Sequence, residues 1–101
     1  MYSSVRRYTA NPGLAENFAW RRDEIRKAIQ AVPGFISYYL LKTADGAVSV
    51  TMCEDREGAE TSNQVATDWI RDNMPNVVAR PPEIYEGEIV ISTMAGAGAV
   101  T

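Results

Sequence analysis

The sequence predicts a single α+β domain of β-α-β-β-α-β order. Three observations point there. β-forming runs stand near both ends of the chain, two stretches have helical periodicity, and between those stretches two strand-like runs flank an Asp45-Gly46 turn. At 101 residues there is room for one domain. A hydrophobic share of 46% suits a packed core rather than a disordered chain. The domain is read over 1–94, and the Ala/Gly-rich tail, 95–101, is expected to be loose.

Tyr2 to Thr9 is rich in β-formers and reads as the first strand. Asn11-Pro12 reads as a helix start, with Asn11 as N-cap and Pro12 where no backbone donor is needed. Leu14, Phe18, Ile25, Ile29 and Val32 then recur at helical spacing, and Pro33-Gly34 ends the helix. Phe35 to Thr43 is the second strand and Ala47 to Glu54 the third. With Asp45-Gly46 at the centre of a two-residue turn, Leu41 pairs with Val50, Tyr39 with Met52 and Tyr38 with Cys53. One hairpin face then carries Phe35, Tyr39, Leu41, Val48, Val50 and Met52, all apolar or aromatic. The other carries Ile36, Tyr38, Leu40, Ser49, Thr51 and Cys53, a mixed set.

Asp55 can cap the second helix, with Glu57 well placed near its positive end. Gly58, Ser62, Val65, Ala66, Trp69 and Asn73 fall on one face, and Pro75 stops the helix. Asn76 to Pro82 is a loop, and Tyr85 to Thr93 is a fourth strand, strongest at Ile89-Val90-Ile91. This order is the split βαβ, or ferredoxin-like, pattern. Right-handed crossovers place both helices on one side of an antiparallel sheet. The other side is also apolar and needs cover, so a homodimer is expected.

Composition narrows the function. The net charge of −3 and the lack of a basic track argue against nucleic acid. No run approaches the ~20 apolar residues of a membrane span. A single cysteine allows no internal disulfide, which suits a reducing, cytoplasmic setting. There is no histidine, which removes Ser-His-Asp and Cys-His catalysis, His-ligated haem and most transition-metal sites. No metal or other cofactor is expected.

The segment Pro33-Gly34-Phe35-Ile36-Ser37-Tyr38-Tyr39-Leu40-Leu41, the Asp45-Gly46 turn, and Val50-Thr51-Met52-Cys53-Glu54-Asp55-Arg56-Glu57-Gly58-Ala59 resemble the antibiotic-biosynthesis-monooxygenase-like family. The resemblance implies a dimeric α+β barrel with a pocket in each subunit between sheet and helices. It implies cofactor-independent oxygenation of an electron-rich aromatic or polyketide-like molecule. The alternative is a non-catalytic dimeric binding or interaction module. Cys53 stands where members often carry an aromatic residue, and Ser62 where they often carry a histidine.

On this resemblance the mixed hairpin face looks toward the helices. Tyr38, Thr51 and Cys53 then meet Ser62, Trp69 and Asn73 across a cavity, as the substrate-binding set. Arg6 or Arg7 could steady developing negative charge, and Arg7 completes that set. No residue is assigned as catalytic. Each candidate also has a plainer reading. Ser62 can bond back to its own helix and Asn73 can cap its end. Cys53 reads as a buried, inert thiol and Trp69 as core. The paired arginines sit on a central strand, where Glu86 or Glu88 could balance one of them. Trp20 lies off the apolar stripe and should be partly exposed.

Overall fold

Residues 1–9, 13–77 and 80–95 are described in a computed structural model. Seven elements follow in order: β1 (Tyr2–Tyr8), α1 (Leu14–Trp20), α2 (Arg22–Gln30), β2 (Phe35–Thr43), β3 (Gly46–Cys53), α3 (Arg56–Asn73) and β4 (Glu83–Glu88). The strands form one antiparallel sheet in the order β2-β3-β1-β4, with the helices packed on one side. This is the ferredoxin-like α+β fold read from the sequence. No helix among the described residues is long and apolar enough to cross a membrane.

The core lies between the sheet and the three helices. Leu14, Phe18, Ile25, Ile29 and Val32 are all buried, as their spacing requires. Their helix is nevertheless two helices, broken at Arg21, whose backbone leaves the helical region (φ −113°, ψ 27°). The expected N-cap, Asn11-Pro12, lies outside the described residues. Gly13 precedes α1, and its carbonyl accepts from the Asn17 side chain at 2.9 Å. At the start of α3, Asp55 accepts from the Gly58 backbone N–H at 2.8 Å, the predicted cap.

The hairpin joins the expected strands in a different register. Tyr39 faces Val50, Leu41 faces Val48 and Tyr38 faces Thr51, two residues away from the expected pairing. The turn is made by Ala44 and Asp45, and Gly46 is the first residue of β3. Gly46 is there for space: a Cβ on it would stand 2.0 Å from the Tyr8 carbonyl oxygen. Positive φ belongs to Gly34 (φ 80°), at the entry to β2. An even slip preserves the alternation of faces, so the two unlike faces survive. One correction follows from a bulge between Phe35 and Ser37. It turns Phe35 toward the helices, against the core, and leaves Ile36 exposed.

β4 starts two residues before the predicted Tyr85 and ends at Glu88. Ile89 still donates its backbone N–H to the Met1 carbonyl. Val90 and Ile91, the most strand-like pair in the sequence, stand 87% and 85% exposed. The chain offers no further strand for them to pair with among the described residues. The expected loose tail falls on residues of which only Ala95 is described.

Candidate functional site

β1 and β3 bury an unusual inner face. Ser4, Arg6 and Tyr8 on β1, with Ala47, Ser49, Thr51 and Cys53 on β3, all point to the helices and are buried. Small residues on β3 leave room above the sheet. Arg6 and Tyr8, with Tyr38 and Leu40 of β2, form the floor of a cavity. Phe18, Ile25 and Ile29 wall one side, and Val65, Ala66 and Trp69 of α3 wall the other. The space enclosed is about 20 Å³, room for roughly one water molecule. Tyr8 meets Phe18 edge-on, with ring centroids 5.6 Å apart.

Arg6 is the charged group of this site. It is 1% exposed. One terminal nitrogen donates to Asn63 Oδ1 at 2.7 Å, and the other reaches Thr51 Oγ1 at 3.5 Å. Asn63 Oδ1 also accepts from Ser4 Oγ at 2.5 Å, while its amide nitrogen donates to Glu86. The charge is thus relayed to a carboxylate through a neutral amide. Glu86 was one of the two partners expected, but with no intermediary. Burial pushes the Tyr8 and Tyr38 phenols up, and the nearby Arg6 charge pulls them down by less. Both therefore stay protonated at neutral pH.

The structure brings together only part of the predicted set. Tyr38 and Trp69 line the cavity, and Thr51 touches it through Arg6. Cys53 and Ser62 are fully buried. Ser62 donates to the Ala59 carbonyl of its own helix at 2.7 Å. The Cys53 thiol is pushed up by burial and then by Asp55, with Arg6 opposing, which leaves it a poor nucleophile. Asn73 is exposed at the end of α3, where its side chain donates to the Trp69 carbonyl at 2.9 Å.

Arg7 requires correction. It lies on the opposite side of the sheet, exposed, and pairs with Asp45 and Glu83 at 3.4 Å. Strand alternation sends one arginine to each side, and the buried side is that of Arg6. Sequence reasoning also missed Asn63. It sits one residue past Ser62, on the buried arc of α3 that includes Gly58 and Ala59. A polar residue on that arc, opposite a central-strand arginine, was the available signal. Arg21 was missed as well. From the break between α1 and α2 it stacks on Trp69, 5.3 Å from the ring centre, and donates to the Asn73 carbonyl at 2.9 Å.

A model of the antibiotic biosynthesis monooxygenase family matches residues 1–57, more than half of the chain. No curated protein sequence matches. Solved structures share the fold along nearly the whole length. A protein of unknown function from Nitrosomonas europaea has a TM-score of 0.71 at 19% identity, covering 92% of both chains. The heme-degrader MhuD from Mycobacterium tuberculosis, with two hemes in its active site, has a TM-score of 0.69 at 21% identity, covering 93% of this chain and 100% of that one. A monooxygenase from the gene ActVA-Orf6 of Streptomyces coelicolor, in complex with nanaomycin D, has a TM-score of 0.60 at 18% identity, covering 90% and 91%.

Proposed function

The chain belongs to the antibiotic biosynthesis monooxygenase family, and on that premise we propose that it is a homodimer that oxygenates a small, flat, largely apolar molecule without a cofactor. The observation that carries this reading is the aromatic-walled cavity over the β1–β2 floor, with Tyr8, Phe18, Tyr38 and Trp69 around one buried cation. A ring needs the walls to part, since the cavity as it stands has room for about one water. An electron-rich aromatic supplies its own electrons to O₂. One oxygen atom stays on the ring and the other leaves as water, with the two hydrogens the ring gives up. The protein orients the ring, excludes water and steadies the anion.

Haem does not suit these residues. The sequence has no histidine, and its one cysteine is buried at the far end of β3. On this reading the chain's own groups do the work, and its single thiol suits the cytoplasm. The dimer rests on the uncovered side of the sheet, where Tyr39, Leu41 and Tyr85 are more than half exposed beside Val5, Val48, Val50 and Met52. A second copy of the same face covers it by symmetry.

The tight cavity favours a second reading, a dimeric binding module with no chemistry. Native mass spectrometry of freshly purified protein addresses the ligand: a co-purifying aromatic supports the pocket. Oxygen uptake with a dihydroxynaphthalene separates the two readings. Turnover consumes one O₂ per quinone formed and places one labelled atom in the product. Binding without uptake above the buffer rate leaves the module.

A further inference from the structure

Arg6 has a charge that its neighbours do not match. It is 1% exposed, and among the described residues it makes no ion pair. Its near partners, Asn63 and Thr51, are neutral, and the two tyrosines beside it keep their protons. A guanidinium does not give up its proton in a protein, so this charge cannot be removed by titration. Burying it beside neutral groups is costly. Arg6 Nε, moreover, has no hydrogen-bond partner.

The only other buried side-chain polar atom without a partner among the described residues is Ser49 Oγ. The two are cross-strand neighbours: Arg6 pairs with Ser49 between β1 and β3, on the side facing the helices. Ser49 in turn pairs with Leu40 of β2, so it lies in the sheet between two residues of the cavity floor. Two unused donors thus lie on neighbouring strands of the buried face, Arg6 lining the aromatic-walled space and Ser49 in the sheet beside it. Buried donors are nearly always satisfied, so two neighbouring ones that are not call for an occupant, a water or a ligand atom.

We propose that Arg6 and Ser49 form an oxyanion cradle, so that the ligand of this cavity is a planar molecule carrying an anionic oxygen: an ionised phenol, an enolate or a carboxylate. This rests on the reading of the cavity as an aromatic pocket and adds the charge of its occupant. The ring lies among Phe18, Tyr38 and Trp69, and the anionic oxygen leads, accepting from Arg6 Nε and Ser49 Oγ. Glu86 balances part of the Arg6 charge through Asn63. The amide holds that carboxylate one residue away, and Arg6 Nε is left without a partner.

The test uses the purified full chain and two probes of one shape, naphthoate and its neutral amide, in equilibrium dialysis at low salt. The expected result is that naphthoate binds roughly 10- to 100-fold tighter, the value of a buried charge-assisted hydrogen bond. In the double variant Asn63→Asp with Glu86→Gln, net charge is unchanged but a carboxylate moves into direct contact with Arg6. There the preference should fall to about twofold or less, with the amide bound as before. Equal affinity of the two probes in the wild-type protein overturns the cradle and leaves the aromatic pocket standing. A preference that survives in the double variant overturns the assignment to Arg6. Failure of both probes to bind overturns the cradle and the pocket together. The wild-type titrations decide even where the double variant does not fold.

Discussion

The two sides of the sheet each depart from an ordinary half-buried sheet. Inside, against the helices, β1 and β3 place Ser4, Arg6, Ser49 and Thr51 where apolar residues would normally go. Outside, β2 and β3 place Tyr39, Leu41, Val48, Val50 and Met52 where polar residues would normally go. Each inversion costs stability in an isolated subunit. The inner side is arranged around a charge and a small void, the outer side around a surface that a second protein layer would cover. On the proposed reading the inner face serves a ligand and the outer face a second copy of the chain.

Substitutions on the two sides should therefore fail differently. The largest effect is expected at Asn63→Ala. It strips Arg6 and Ser4 of their shared acceptor and cuts the relay to Glu86, so denaturant unfolding should show a loss of about 2–3 kcal/mol. A loss under half of that would mean that the inner network is incidental. On the outer side, Val50→Asp should leave the circular dichroism spectrum unchanged while weakening self-association on the order of 100-fold. Light scattering coupled to size exclusion reads this as a monomer at micromolar concentration. Unfolding of the variant, or a wild-type protein that is already monomeric, would erase the distinction between the faces.

Two smaller changes sharpen it. Cys53→Ser replaces a fully buried thiol with a hydroxyl that must find a partner, and should lower the melting free energy by about 1 kcal/mol without altering ligand binding. Loss of binding would move Cys53 into the site. Arg7→Ala removes two exposed ion pairs at 3.4 Å and should cost no more than about 0.5 kcal/mol, mostly lost in salt. A larger cost would show that the outer arginine, too, is anchored.

What could be read from the residues, and what could not, divides along physical lines. The helical stripe from Leu14 to Val32 and the Asp55 cap depend on local spacing, and both are found. The contrast of hairpin faces survives a two-residue slip because strand alternation has a period of two. The bulge at Ile36 is an odd insertion, and it exchanges Phe35 with Ile36. The break at Arg21 carries no Gly or Pro to announce it. What holds the broken ends is a long-range grip on Trp69 and Asn73. The choice between Arg6 and Arg7 turned on which side of β1 the helices cover, and on Asn63, 57 positions away. Contacts of that range leave little trace in local pattern. Ile89-Val90-Ile91 has the propensity of a strand, but beyond Ile89 no strand among the described residues pairs with it, so propensity alone placed β4 too late.

The break between α1 and α2 also gives the protein a pair of optical probes. Trp20, the last residue of α1, is 90% exposed, and Arg21 immediately after it rests on Trp69. The chain has no other tryptophan. One indole therefore reports on bulk water and the other on the wall of the cavity. A soluble quencher should darken Trp20 first and leave an emission spectrum belonging to Trp69. That residual light would register any outward swing of the indole ring, in the native sequence and without a label.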